Sequence, residues 1–158
     1  MTEPSETRIA EAQQTVAPRN TPLTTDHWPL TTASAASPGL VDTHAHLMDA
    51  AFDSDRDSVL ARASSAGVAA LVVVGYDLPS SRAAVELARR VPWARATVGI
   101  HPNSAAAASD EDFAAIAQLA RAPEVVAIGE TGLDYYRNYT PPDRQRRALG
   151  WHTRLAEE

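Results

Sequence analysis

The chain has 158 residues, which is enough for one ordinary domain, and no apolar run approaches the roughly 18 residues that a membrane-spanning helix needs. It carries 20 acidic and 14 basic residues, a net charge of −6, so it lacks the basic character of a protein that binds nucleic acid through a broad positive surface. It has no cysteine and its basic residues are all Arg, which excludes disulfides, thiolate metal sites and lysine-based catalysis.

The first 39 residues are predicted to be a disordered leader. They include 8 Thr, 6 Ala, 5 Pro and 3 Ser, and they contain few large apolar side chains. Proline interrupts helices and central strands, and a segment with so little apolar surface cannot offset the entropy lost on ordering its backbone. The folded domain is therefore expected to cover residues 40–158.

Residues 40–158 alternate between strand and helix patterns. Continuous apolar runs are typical of strands that are buried on both faces of a parallel sheet. The first predicted strand starts with the short apolar run Leu40-Val41. The other three are Val68–Val74, Ala94–Ile100 and Val125–Gly129. The predicted helices run from Asp53 or Ser54 to about Ala66, from Pro79 to about Val91, from a cap at Ser109-Asp110 to about Ala120, and from Pro141 to Glu158.

This alternation predicts an α/β fold with a parallel sheet covered by helices. Four strand–helix units in 119 residues use roughly 30 residues each, and eight such units would need about 240, close to the usual size of a (β/α)₈ barrel. We therefore expect a partial (β/α)₈ barrel made of about the first four βα units. An open four-stranded α/β sheet is the structural alternative.

Polar side chains cluster where the predicted strands end, which is the edge where parallel α/β folds form their sites. Asp42, His44 and His46 follow the first strand, Tyr76 and Asp77 the second, His101 the third, and Glu130 and Asp134 the fourth. Two imidazoles at alternate positions of an extended segment lie on the same side, about 6.5 Å apart along the chain, and can bind one divalent ion. The residues alone equally allow solvated loop histidines, a loop-capping Glu130 and a hydrogen-bonded His101, and they favour a packed role for His152.

Three segments occur in an order that resembles the TatD family of metal-dependent hydrolases, within the amidohydrolase-like TIM barrels. They are Val41–Leu47 (VDTHAHL), Val98–Pro102 (VGIHP) and Ile128–Tyr136 (IGETGLDYY), followed by a helix that carries Gln145. The resemblance covers about residues 40–158, as the N-terminal half of such a barrel.

The resemblance implies a metal site and an activity. His44 and His46 match the family's first-strand metal ligands, and Glu130 matches the carboxylate that bridges two divalent ions, Mg²⁺, Mn²⁺ or Zn²⁺. The implied activity is metal-dependent hydrolysis of nucleic-acid phosphodiesters, of the 3′→5′ exonuclease type, with a single-stranded end as substrate. The implied location is the cytoplasm. His101, Asp42 and Arg137 are expected to contact the substrate or the metal ligands.

The sequence also departs from the family pattern. The family's two further metal histidines and its acid–base aspartate belong to later strands, so the catalytic residue stays unassigned among these 158 residues. We expect the half-barrel to expose the edges of its first and last strands, which favours self-association. Two alternatives follow: an inactive or weakly metal-binding fragment, and a hydrolase of the same superfamily that acts on another ester or amide.

Overall fold

A computed structural model describes residues 39–158 as four strands and four helices in regular alternation. Of the predicted leader, residues 1–39, all but Gly39 lie outside the described residues, so the leader stays a prediction. The strands are β1 (Leu40–Ala45), β2 (Val68–Val74), β3 (Ala94–Val98) and β4 (Val125–Ile128). The helices are α1 (Arg56–Ser65), α2 (Leu78–Arg90), α3 (Asp110–Leu119) and α4 (Pro142–Leu155), with short 3₁₀ turns at Ala50–Phe52 and Pro102–Ser104.

The four strands form one parallel sheet in the order β1-β2-β3-β4. Each strand is joined to its neighbour through a helix, which is the connection that parallel strands require. The predicted α/β fold with a parallel sheet is confirmed, and the carboxyl ends of all four strands meet at one edge. None of the helices within residues 39–158 combines the length and the apolar character of a membrane-spanning helix.

The core lies between the central strands and α2. Val73 on β2 and Val98 on β3 are fully buried. Ala84, Leu87 and Ala88 lie at i, i+3 and i+4 on one face of α2, and each is at most 5% exposed. The edge strands are more open, and Val126 on β4 is half exposed. Self-association through these edges stays a prediction.

The first helix differs from the prediction at its start and on its buried face. A 3₁₀ turn at Ala50–Phe52 precedes α1, which begins at Arg56 rather than near Asp53. The Arg56 guanidinium donates to the carbonyl oxygens of Leu47 and Asp49 at 2.6 and 2.9 Å. Local helix propensity does not include these hydrogen bonds, so it could not predict this helix start. The buried residue of α1 is Leu60, whereas the apolar face at Val59, Ala63 and Ala66, which the i, i+4, i+7 spacing predicts, is not buried, since these three are partly exposed or exposed.

Two glycines provide a stability test, because backbone atoms closely approach Gly99 but not Gly150. A Cβ placed on Gly99 would lie 2.7 Å from the Gly129 carbonyl carbon and 2.9 Å from the Glu130 oxygen, both backbone atoms that cannot rotate away. We expect Gly99→Ala to destabilise the fold by about 1–3 kcal/mol, as overpacking does. Gly150 lies within α4 with no close neighbour, so Gly150→Ala should stabilise by about 0.5–1 kcal/mol. Urea unfolding of both variants measures the two effects, and a neutral Gly99→Ala would contradict the close approach.

Candidate metal centre

Three potential metal ligands converge at the carboxyl edge of the sheet. His44 lies near the end of β1, His46 directly follows that strand, and Glu130 follows β4. One ligand atom from each residue lies within 4.8 Å of the others. The Nε2 atoms of His44 and His46 are each 3.8 Å from the Glu130 Oε2 atom. The sheet thus brings together residues that are 84 positions apart in the chain (130 − 46).

The orientation of the two imidazoles suits a shared ion. His46 Nδ1 lies 2.8 Å from the carbonyl oxygen of Val74 and therefore donates its proton there, which leaves Nε2 free to act as a ligand. The Nε2 atoms of His44 and His46 are 3.2 Å apart. Two nitrogens bound to one ion at about 2.0–2.1 Å are separated by roughly 2.8–3.4 Å at bond angles near 90–110°. The donor set and its spacing fit a divalent cation.

Backbone hydrogen bonds carry Glu130 into this cluster. β4 ends at Ile128, one residue earlier than predicted, but the Gly129 N–H still bonds the Val98 carbonyl at 2.9 Å. The Glu130 N–H bonds the Gly75 carbonyl of the β2 end at 2.7 Å. The Glu130 carboxylate remains partly accessible, with 29% of the side chain exposed. A carboxylate in this position is oriented by the sheet and still open to an ion or a substrate.

His101 lies beside the three-residue cluster. Its Nδ1 atom accepts the Asn103 backbone N–H at 3.1 Å, so the neutral ring carries its proton on Nε2. That Nε2 atom is 3.8 Å from Glu130 Oε1. β3 ends at Val98, two residues earlier than predicted, and His101 begins the turn at Pro102–Ser104. A protonated Nε2 does not ligate a metal, and 3.8 Å is too long for a hydrogen bond, so this N–H lies near the Glu130 carboxylate without bonding it.

The other two predicted residues lie at the margin of the cluster. The Asp42 carboxylate accepts the backbone N–H of His44 at 3.1 Å, so it supports the strand that presents the imidazole. The Arg137 guanidinium lies 3.9 Å from Asp134 Oδ2, and its side chain is 57% exposed. The pKa of Asp134 is lowered, first because Asn103 donates to its carboxylate and also through the Arg137 backbone N–H. Arg137 is thus paired within its own loop.

Sequence reasoning missed two residues near the cluster, Asp49 and Asn103, which hydrogen-bond to Tyr76 and Asp134. Tyr76 contacts the His46 ring edge-on, with 5.5 Å between the ring centroids, and its hydroxyl donates to Asp49 at 3.0 Å. This hydrogen bond to a carboxylate raises the pKa of Tyr76. Asn103 donates its side-chain amide to Asp134 at 2.9 Å. Asp49 and Asn103 belong to no spacing pattern, so no local signal could have singled them out.

Comparison with protein families matches residues 41–158 to the model described as TatD related DNase. The chain belongs to the TatD family. The 3′-5′ ssDNA/RNA exonuclease TatD of Salmonella typhimurium is 41% identical over 119 residues, which make up 75% of this chain and 46% of that protein. The uncharacterized metal-dependent hydrolase YabD of Bacillus subtilis is 40% identical over 119 residues, 75% of this chain and 47% of that protein.

Solved structures agree with this membership. The TatD homolog YJJV of Escherichia coli K12 aligns with a TM-score of 0.69 at 30% identity, over 74% of this chain and 46% of that one. A TatD family hydrolase from Entamoeba histolytica has a TM-score of 0.70 at 22% identity, over 78% of this chain and 47% of that one, which shows the shared fold. The chain spans about half the length of the TatD relatives that it matches.

A buried histidine next to the cluster should give stability a specific pH dependence. Burial lowers the pKa of His152, partly offset by its bond to the Ala148 carbonyl, and the neighbouring Phe113 and Trp151 rings do not titrate. The unfolded chain then binds a proton at His152 more readily than the folded chain does. The contribution of His152 to the free energy of unfolding is therefore fully present above the unfolded pKa of about 6.5, and it is lost as the pH falls below that value. We expect His152→Gln to lose less stability than the wild type between pH 7 and 5 in urea unfolding. Parallel pH profiles would contradict this assignment.

Proposed function

We propose that this chain is part of a metal-dependent hydrolase that cleaves phosphodiester bonds at the 3′ end of single-stranded nucleic acid. The observation that supports it is the convergence of His44, His46 and Glu130, with ligand atoms within 4.8 Å of one another, at the carboxyl edge of a parallel sheet. The relative from Salmonella typhimurium, which is named a 3′-5′ ssDNA/RNA exonuclease, supports the substrate class. The cytoplasm is the proposed location, as the resemblance to the TatD family implies.

The donor set suits Mg²⁺, Mn²⁺ or Zn²⁺, with His44, His46 and Glu130 as the proposed ligands. A bound ion of this kind supplies an activated water and neutralises charge on phosphate oxygens. The chain's own contribution is orientation: the Val74 carbonyl fixes the tautomer of His46. His101 presents an Nε2–H beside Glu130, where it would donate to a phosphate oxygen of the substrate.

The loop after Glu130 offers aromatic rings for nucleic-acid bases. Tyr136 is 92% exposed and Tyr139 is 70% exposed. The Tyr136 ring in particular does not pack against the protein, so it does not anchor its loop. The ring of Tyr135 lies beneath the Arg146 guanidinium, 5.7 Å from it. Exposed aromatics stack on bases without regard to sequence, which suits a single strand. Because the chain is acidic overall, we propose that local stacking and the ion, rather than a basic stripe, hold the substrate.

The test is an assay of the 158-residue chain on a 5′-labelled single-stranded oligonucleotide with Mg²⁺, Mn²⁺ or Zn²⁺. We expect stepwise shortening from the 3′ end that requires the ion, stops with EDTA and is lost in His44→Ala together with bound ion. Ion binding without shortening would favour the alternative of a weakly metal-binding chain. Cleavage of a model ester or amide instead would redirect the proposal to another substrate within the superfamily, and activity that persists without an ion would overturn the metal site.

A further inference from the structure

His152 is a buried titratable side chain that the proposed chemistry does not use. It lies on α4 with 1% of its surface exposed. Its ring is within hydrogen-bond distance of three segments of the chain: the backbone N–H of Ile100 at 3.0 Å, the hydroxyl of Thr131 at 3.0 Å and the carbonyl of Ala148 at 2.7 Å. A ring with this many polar partners is held by hydrogen bonds as well as by packing.

These partners fix the tautomer of the ring. The Ile100 N–H can only donate, so His152 Nε2 must accept and carries no proton. The Ala148 carbonyl can only accept, so the proton lies on Nδ1. The Thr131 hydroxyl then shares this Nδ1–H as a second acceptor. The lowered pKa of His152 is consistent with a ring that stays neutral.

The residues that the ring holds adjoin two residues of the candidate centre. Ile100 immediately precedes His101, and Thr131 immediately follows Glu130. His101 Nε2 and Glu130 Oε1 are separated by 3.8 Å. One side chain of α4 therefore connects the turn after β3 with the turn after β4, at the point where these turns deliver a donor and a carboxylate.

We propose that His152 is a positioning residue that sets the separation between His101 and Glu130. It acts through the backbone at Ile100 and through Thr131, and it touches neither the ion nor the substrate. The effect on ion binding rests on the proposed function, whereas the effect on the orientation of His101 does not.

A matched set of variants separates positioning from packing. His152→Leu places an apolar side chain of moderate size here and loses all three polar contacts, while His152→Gln can restore an acceptor for the Ile100 N–H. Trp151→Leu is the control, because Trp151 neighbours His152 and packs on Phe113 at 4.8 Å between ring centroids, so its loss weakens the same helix. All variants are compared at a temperature where each is folded.

The first readout is the ring tautomer of His101 in the ion-free chain at pH 8, measured by two-bond ¹H–¹⁵N correlations. The wild type, His152→Gln and Trp151→Leu should show the proton on Nε2 alone. His152→Leu should show a mixture of tautomers, because the Asn103 N–H no longer meets Nδ1 in a fixed geometry. An unchanged His101 in His152→Leu, or the same mixture in Trp151→Leu, would overturn the proposal.

The second readout is Zn²⁺ affinity by calorimetry. His152→Leu should bind Zn²⁺ about 10-fold more weakly, as expected when a group behind the ligands is removed, with His152→Gln and Trp151→Leu within about 2-fold of the wild type. A wild type that binds no Zn²⁺ would refute the proposed metal site, and the His101 tautomer would still decide the role of His152. If His152→Leu does not fold, Thr131→Val removes the contact nearest Glu130, and unchanged His101 and Zn²⁺ behaviour in that variant would count against the proposal.

Discussion

Glu130→Gln is expected to lower the affinity of the chain for a divalent ion by at least about 100-fold, and to abolish ion-dependent hydrolysis with it. The carboxylate supplies the single negative charge of the candidate centre, at 3.8 Å from both imidazole Nε2 atoms. Substitution of groups behind metal ligands costs 10–100-fold, and loss of a charged ligand should cost at least as much. Calorimetric titration with Zn²⁺ and with Mn²⁺ measures the affinity directly.

Glu124→Gln is the matched control for this change. Glu124 immediately precedes β4, whereas Glu130 follows it, so the two acids lie near opposite ends of one strand. Glu124 pairs with Arg89 at 3.6 Å and has no part in the three-residue cluster. Its amide variant should bind the ion as the wild type does. Equal losses in the two variants would mean that net charge, rather than ligation, governs binding.

Gln145→Met should produce a large loss of stability, about 2–4 kcal/mol in urea unfolding. The Gln145 amide is buried on α4, accepts the Asp134 N–H at 2.8 Å and donates to the carbonyls of Asp134 and Thr140, each at 2.9 Å. Met has a similar shape but satisfies none of these groups, and each buried backbone group left without a partner costs about 1–3 kcal/mol. The cost arises in the loop that carries Glu130.

Arg147→Met is the control for this stability prediction. It makes the same kind of polar-to-apolar change on the same helix, but Arg147 is 70% exposed and pairs with Asp143 on the surface. Exposed pairs contribute about 0–1 kcal/mol, so the effect should be small. A Gln145→Met variant no less stable than Arg147→Met would show that the loop is held by other contacts.

The strand pattern was predicted well because continuous apolar runs leave few alternatives. The predicted run Val68–Val74 has the same first and last residues as β2. The predicted cap at Ser109 is the N-cap of α3, and its side chain accepts the Asp112 N–H. The start of α1 was missed because Arg56 is fixed by carbonyls of the preceding segment, a tertiary contact that local propensity does not contain. Helix ends that depend on such contacts cannot be read from a short window.

The sequence indicated which residues converge at the candidate centre, but not which residues hold the neighbouring side chains in place. His44 lies near the end of β1, and His46, His101 and Glu130 follow strands. The rule that the carboxyl ends of parallel strands meet at one edge was sufficient to bring them together. Asp49 and Asn103 have no such signal, and they support Tyr76 and the loop of Asp134 from elsewhere in the chain. The expected substrate contact of Arg137 stays a prediction, and its guanidinium lies 3.9 Å from Asp134 Oδ2.

The sequence by itself determined the alternation of strands and helices, the edge of the sheet where the site forms and the side chains that meet there. These follow from periodicity and from strand direction, which are local properties of the chain. The tertiary structure alone decided the orientation of those side chains: the tautomer of His46 depends on the Val74 carbonyl, and that of His152 on the Ile100 N–H. Hydrogen-bond partners tens of residues apart are set by how strands and helices pack, so no local pattern encodes them.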